Sequence, residues 1–337
     1  MCGINLICSL SRDQELTKVN EIEIRKMNDL IKYRGPDNNG LYLNSHNYFG
    51  HNRLAIVDLN QNSNQPFLSS SKRTVVIFNG EIYNYKVLRQ ELISQGYKFK
   101  SKSDTEVINA IYELNGDKGL DRLKGMYVFA IFDKVRNITL IRRDSFGIKP
   151  FYYFIQDKKL YGSSEMAPLI SIIKNRRINS LALNSFFIFD NNCYEESFIK
   201  GIYKLEPGEQ LIINQFCFTT SKWFDLKEYS KKTIINSKDL NLLLEDQISK
   251  SISQQSNTEV KTCIFFSGGI DSSLVSYFSL KQNPNIKLFS FLPKSITKNN
   301  NDIIHSSSRA CLIGAKNFQY LNFEGDKLIY YLDKYIK

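Results

Sequence analysis

The pattern of apolar residues changes once along this chain, around Trp223 to Lys238, and that change limits the folds open to it. Before it, short apolar runs alternate with polar turns. Ile4–Cys8, Thr74–Phe78, Tyr127–Asp133 and Ile138–Arg142 read as strands. Two stretches with helical spacing interrupt them. Glu21–Lys32 places Ile24, Met27, Leu30 and Ile31 on one side, and Tyr85–Gln95 does the same with Val87, Leu88 and Leu92, leaving Glu91 opposite. Strands grouped with a few helices predict an α+β layered domain. After the change, helix and strand alternate. Helices are expected at Asp239–Ser253 (Leu240, Leu243, Leu244 and Ile248 on one face), Ser272–Lys281 and Ser306–Gly314. Strands are expected at Lys261–Phe266, Ile286–Leu292 and Phe318–Phe323, with a helical tail at Leu328–Lys337. Such alternation predicts a parallel, doubly wound α/β sheet. The expected boundaries are a first domain over 2–215, a polar, Ser-rich linker over 216–238, and a second domain over 239–337.

A length of 337 residues suits two domains of ordinary size, and 42% hydrophobic with 23% charged residues is a globular composition. The six cysteines include no C-x-x-C pair, which argues against a disulfide framework or a structural zinc site and fits a reducing compartment. The apolar Met1–Leu10 lacks a basic start and is soon followed by Arg12 and Asp13, unlike a signal peptide. No apolar run approaches the ~20 residues of a spanning helix. The expectation is a soluble, cytoplasmic protein with no membrane partner. The net charge of +11 raises nucleic acid as a partner, but Lys and Arg are dispersed, with only short clusters such as Lys231-Lys232 and Arg142-Arg143. Solvated surface charge is the expectation, with no nucleic-acid partner.

Met1-Cys2-Gly3-Ile4 holds the first chemical signal. Removal of Met1 would leave Cys2 carrying both a thiol nucleophile and a free α-amine, a group that titrates at ~7.7–8.0 in model compounds. That amine is a base of useful strength beside the thiol it would activate. Taken alone, Cys2 reads better as a buried core thiol at the start of an apolar strand than as a nucleophile.

The second signal is Ser267-Gly268-Gly269-Ile270-Asp271-Ser272-Ser273, between an expected strand and helix. A Gly- and Ser-rich strand-to-helix turn presents N–H groups and hydroxyls at a helix N-terminus, a site for anions. No G-K-[ST] follows, so it is not the P-loop of common NTPases. The run resembles the pyrophosphate loop of ATP pyrophosphatases, which adenylate a carboxyl or carbonyl group. Its plain alternative is a Gly-rich turn with an Asp-Ser helix cap.

Five further runs stand in the first half: Arg34-Gly35-Pro36-Asp37, His51 to Asp58, Asn79-Gly80-Glu81-Ile82-Tyr83-Asn84-Tyr85, Ser103-Asp104-Thr105-Glu106, and Arg143 to Pro150. Singly, Asn79-Gly80 reads as a turn, Asp104 as a helix cap, Arg53 as a surface ion pair and Gly147 as a positive-φ position. Together with Cys2-Gly3-Ile4 and the Ser267–Ser273 loop they resemble the glutamine-hydrolysing asparagine synthetase family, from Met1 to about Leu292. The resemblance implies an N-terminal-nucleophile (class II) glutaminase domain, an αββα sandwich, followed by an α/β parallel-sheet ATP-pyrophosphatase domain. It implies catalysis by Cys2, with Asn79 and Gly80 as oxyanion hole. It implies glutamine held at its α-carboxylate by Arg53 and at its α-ammonium by Asp104 with Glu81. Ser267, Gly268, Gly269, Asp271, Ser272 and Ser273 would hold the pyrophosphate part of ATP, Asp271 would contact Mg²⁺, and Leu292 would line the adenine pocket. The implied substrates are glutamine, aspartate and ATP; the implied products are glutamate, asparagine, AMP and pyrophosphate. A homodimer is an assembly the resemblance admits.

The likeness weakens after Leu292. Where the family shows an Asp-Glu pair, this chain has Asn301-Asp302, and the family's later acidic loop and its catalytic acid and lysine have no counterpart. The expectation is therefore an incomplete synthetase domain: a piece of a longer synthetase first, with completion by a partner chain or a natural short form as alternatives. A related class II amidotransferase with another carboxylate acceptor, or a glutamine- or nucleotide-binding protein without synthesis, are the competing functions.

Overall fold

The computed structural model describes residues 1–214, 216–229, 237–256, 258–293 and 301–323, except that the side chains of 229, 237, 238, 292, 293, 301–304, 322 and 323 are not described. The expected Leu328–Lys337 helix and the adenine-pocket role of the Leu292 side chain lie outside that range. Two compact units divide the chain, Met1–Lys231 and Lys232–Lys337.

Two six-stranded antiparallel sheets form the first unit. One runs in the order β10 (Tyr203–Lys204), β8 (Tyr152–Gln156), β9 (Lys159–Ser163), β1 (Gly3–Ser9), β3 (Asn47–Arg53), β2 (Asn38–Leu43). The other runs β12 (Cys217–Lys222), β11 (Glu209–Asn214), β7 (Ile138–Arg143), β6 (Gly125–Asp133), β5 (Thr74–Ile82), β4 (Phe67–Leu68). Successive side chains of a strand point to opposite faces, and the central strands use both. Ile4, Leu6 and Cys8 of β1 pack with Val75 and Ile77 of β5 and Val128, Ala130 and Phe132 of β6, so the sheets stack face to face. The alternate residues face helices. Ile7 packs with Ile24 and Met27 of α1 (Lys18–Leu30) and Leu169 of α4 (Met166–Ile172). Val76 and Phe78 pack with Leu88 and Leu92 of α2 (Tyr85–Ser94) and with Val107, Ile108 and Ile111 of α3 (Asp104–Gly119). The result is the expected helix–sheet–sheet–helix sandwich. Further helices are α5 (Ser180–Phe189) and the short α6 (Leu226–Tyr229).

In the first unit two helix faces differ from expectation. Leu30 is 41% and Val87 62% exposed, while Ile24, Met27, Ile31, Leu88 and Leu92 are buried. Each helix meets a sheet along a stripe narrower than its run of apolar residues. The expected linker also begins too early. Residues 217–222 form β12 against β11, with Asn214 opposite Cys217. Trp223 stacks on Tyr127 with centroids 6.3 Å apart, and its indole N–H donates to the Arg143 carbonyl at 2.9 Å. The polar sequence of β12 reflects its place at the edge of the sheet, where all six of its residues are exposed.

In the second unit β13 (Cys263–Phe265), β14 (Lys287–Pro293) and β15 (Phe318–Phe323) pair in parallel in that order, joined through α8 (Ile270–Gln282) and α9 (Asn301–Leu312). The preceding helix is α7 (Ser237–Gln255). Phe266, Leu280, Ile286, Leu288 and Ala310 form the core. This is the predicted strand–helix alternation, and the parallel register follows from crossover helices long enough to return the chain to the same edge.

Candidate active site

One end of the sandwich brings the first-half runs together. Gly3 pairs with Asn52, so Cys2 lies beside Arg53 at the end of β3. From the facing sheet, β5 delivers Asn79, Gly80 and Glu81. Asp104 opens α3, and its carboxylate accepts the Ile82 N–H at 3.1 Å. Cys2, Arg53, Asn79, Gly80, Glu81 and Asp104 all line one cavity, joined by Met1, Gln65, Ser103 and Lys149 among others. Residues as far apart in sequence as Met1 and Lys149 thus share one wall.

The Cys2 thiol contacts the backbone of Leu54: the Leu54 N–H donates to Sγ at 3.4 Å and the thiol donates to the Leu54 carbonyl at 3.6 Å. Burial pushes this thiol up, with the Leu54 N–H acting against it. The thiol therefore stays protonated at neutral pH and needs a base before it can attack.

Asn79 is fully buried, and neither its Nδ2 nor its Oδ1 has a hydrogen-bond partner among the described residues. A buried amide without partners is costly, so its donor and acceptor are open to a ligand in the cavity it lines. Asn79-Gly80 is not the turn its letters suggest: both lie within β5, opposite Val128 and Tyr127. A Cβ at Gly80 would stand 2.1 Å from the Met126 carbonyl oxygen and 2.7 Å from Tyr127 Cα, so only glycine permits this approach of the strands.

Arg53 is not a surface ion pair. It is 5% exposed, and its guanidinium donates to the carbonyls of Asn60 (2.9 Å), Val57 (3.4 Å) and Asp58 and to Asn64 Oδ1 (2.7 Å). Every acceptor is neutral, so the fork is fixed in place with its charge uncompensated, the state that favours a carboxylate ligand. Asp58 stiffens this loop by accepting from Ser63 Oγ at 2.5 Å and from the Lys102 N–H at 2.7 Å.

Asp104 is not the helix cap; Ser103 is, accepting the Thr105 N–H at 3.0 Å. Burial, with Glu81 adding to it, pushes the Asp104 carboxyl up to about 7 against the opposing Ile82 N–H. Burial also raises Glu81, with Lys149 acting against it. Two carboxyl groups held ready in a partly dry wall are suited to an ammonium.

The other first-half runs are structural. Asp144 accepts the N–H groups of Tyr127, Phe146, Ile148 and Lys149 at 2.9 to 3.1 Å. Gly147 has the expected positive φ, 64°. Burial holds His51 down to about 3, so it is neutral and its Nε2–H donates to the Phe78 carbonyl at 3.1 Å. Sequence reasoning gave no task to Lys149, although it stands in the Arg143–Pro150 run, nor to Gln65. Gln65 accepts the Phe78 N–H at 2.6 Å and donates to Thr105 Oγ1 at 3.1 Å, tying β5 to α3. Isolated from any motif, it carried no signal.

In the second unit the Ser267–Ser273 loop joins the parallel sheet to α8. Gly269 is the N-cap and makes no side-chain cap, so the Asp-Ser cap of the plain alternative does not form. Ser267 and Ser272 hydroxyls lie 3.0 Å apart, and Ser267 Oγ accepts the Gly269 N–H at 3.2 Å. Gly268 has φ 78°, and a Cβ there would stand 2.9 Å from Ser306 Cα. Arg309 donates to the Gly268 carbonyl. Asp271 is exposed in the first turn of α8, and the buried Ser273 Oγ has no partner among the described residues. Those residues hold no cluster of three or more acidic, His or Cys side chains suited to a metal. They also hold no helix long and apolar enough to cross a membrane.

Residues 1–224 match the family model of the glutamine amidotransferase domain, and residues 243–337 that of asparagine synthase. Asparagine synthetase (glutamine-hydrolyzing) 1 of Bacillus subtilis strain 168 is 34% identical over 267 residues, 79% of this chain and 42% of that protein. Asparagine synthetase B (glutamine-hydrolyzing) of Escherichia coli K12 is 32% identical over 269 residues, 78% of this chain and 43% of that protein. A putative asparagine synthetase (glutamine-hydrolyzing) 2 of Methanocaldococcus jannaschii is 32% identical over 298 residues, 82% and 56% respectively. The chain thus spans about half the length of the curated relatives it matches.

Proposed function

This chain belongs to the family of glutamine amidotransferase domains, here followed by an asparagine synthase segment, and from that premise we propose that it is an asparagine synthetase-type amidotransferase. Its first unit hydrolyses glutamine to glutamate and ammonia, and the ammonia is destined for the ATP-dependent amidation of aspartate. The observation that carries the reading is the single cavity shared by Cys2, Arg53, Asn79, Gly80, Glu81 and Asp104.

With Met1 removed, the α-amine of Cys2 takes the thiol proton as sulfur attacks the side-chain carbonyl carbon of glutamine. The oxygen of that carbonyl becomes negative and is held by the Asn79 side-chain N–H and the Gly80 backbone N–H, each such donor worth ~3–4 kcal/mol. The proton then passes from the amine to the leaving nitrogen, and ammonia departs from a thioester. Water, deprotonated by the same amine, cleaves the thioester and returns the thiol. Arg53 holds the substrate's α-carboxylate, and Asp104 with Glu81 its α-ammonium.

In the second unit the Ser267–Ser273 loop cradles the pyrophosphate portion of ATP. The uncapped start of α8 supports this, because it leaves first-turn N–H groups for an anion. Mg²⁺ supplies charge neutralisation for the phosphates. Asp271, in the first turn of α8, would be the carboxylate to meet it, and one carboxylate beside phosphate oxygens is a normal Mg²⁺ donor set. The six free cysteines fit the reducing cytoplasm that belongs to this proposal.

The test is direct. Chain with Met1 verified as removed is incubated with glutamine, and glutamate is measured beside Cys2→Ala. A wild type no faster than the variant refutes the glutaminase reading. Adding aspartate, ATP and Mg²⁺ and measuring asparagine and AMP tests the acceptor separately.

A further inference from the structure

Lys149 is the cation of the cavity wall to which this chemistry gives no task. It is 3% exposed, and its backbone is fixed on both sides. Its N–H donates to the Asp144 carboxylate at 3.0 Å, and its carbonyl accepts Arg143 Nε at 2.7 Å. Its ammonium donates to Met1 Sδ at 2.9 Å, a weak acceptor. No carboxylate lies within ion-pair distance of it among the described residues. Loss of Met1 takes away that sulfur and puts the new α-amine, on Cys2, at the same wall.

We propose that Lys149 is a positioning residue whose fixed charge keeps the α-amine of Cys2 in its proton-accepting form at neutral pH. The inference rests on the glutaminase reading. A second positive charge beside an amine disfavours its protonation; no ion pair neutralises this ammonium among the described residues, and Glu81 and Asp144 offset its field only from a distance. Arg34, in the turn after α1, acts in the same sense and donates through Nε to the Cys2 carbonyl at 3.0 Å. Its charge, however, is offset by Glu165 at 2.6 Å. Against the two cations stand Asp37 beside the amine, joined by Cys2 only if its thiol ionises, with Glu81 from β5 and Asp104 from α3 across the cavity; Arg53 from β3 adds a further positive charge. Already at Met1, burial first and then Arg34 and Lys149 hold the terminal amine below its ordinary range.

Competitive labelling of the terminal amine with trace acetic anhydride, across pH ~5 to ~10, reads its titration without turnover. It is done on the full chain, Met1 removed, in a Cys2→Ala background so that the thiol does not compete. Lys149→Met, uncharged and of similar length, is expected to move the midpoint up by about half a unit or more, and Lys149→Arg to leave it in place. In the Cys2 protein the acid limb of kcat/KM for glutamine moves up with it. A midpoint unchanged in both Lys149→Met and Lys149→Gln, with folding verified by circular dichroism, overturns the inference even if activity falls. Failure of the wild type to hydrolyse glutamine overturns the glutaminase reading instead, and the labelling still decides the role of Lys149.

Discussion

The Asp104 carboxylate accepts the backbone N–H of Ile82, 3.1 Å away, and so fixes the first turn of α3 to the strand that carries Asn79, Gly80 and Glu81. One bond therefore sets the distance between the groups proposed for the reacting carbonyl and those proposed for the substrate's ammonium.

Burial, the main cause, pushes the Asp104 carboxyl up to about 7. Only its charged form attracts an ammonium, so glutamine affinity is expected to fall as pH drops through 7, and binding at pH 7 to release protons. Calorimetry in buffers of differing ionisation enthalpy measures that release. Asp104→Asn is expected to abolish it and to weaken binding about tenfold or more.

The same group gives a stability prediction of opposite sign. Its folded pKa lies above the ordinary carboxylate value of ~3.9, so the folded state binds more protons between those pH values. Stability contributed by the protonated form is then lost as pH rises toward 7. Asp104→Asn should melt at or above wild type at pH ~8, by up to a few degrees, while losing substrate affinity. A lower melting temperature at that pH contradicts the assignment.

Asn79→Ala removes the proposed oxyanion donor. The expected loss is ~10²–10³-fold in kcat with little change in KM. Steady-state glutamate production measures both, and a change confined to KM contradicts the role.

Gly80→Ala is predicted to unfold more easily, because the new Cβ meets backbone atoms at 2.1 and 2.7 Å that cannot swing aside. A cost of ~1–3 kcal/mol is typical of such overpacking. Urea denaturation measures it.

In the second unit Gly268→Ala combines a positive φ of 78° with a Cβ 2.9 Å from Ser306 Cα. ATP binding, followed by calorimetry, should be lost, with glutamine hydrolysis unchanged. Equal affinity in the variant contradicts the loop's proposed role.

Much of this architecture is legible in the sequence, for physical reasons. β1, β5 and β6 are apolar at consecutive positions because they are covered on both faces, and such runs stand out. The strand–helix alternation after residue 260 likewise follows from the parallel sheet. β12 was hidden because an exposed edge strand needs no apolar face, and its polar Thr219–Lys222 end reads as linker. Leu30 and Val87 misled because periodicity marks apolar residues without revealing where the sheet stops. At the site, residues within recognisable runs were legible. Lys149 and Gln65 became visible only once the fold set them beside Cys2 and Asn79, since their roles depend on neighbours distant in sequence.

The central claim is that Cys2, freed of Met1, is a glutaminase nucleophile. Glutamate release from glutamine by the processed chain, set against Cys2→Ala, tests it most directly. The expected result is steady release by the wild type and none above background from the variant. Equal rates in the two proteins would contradict it.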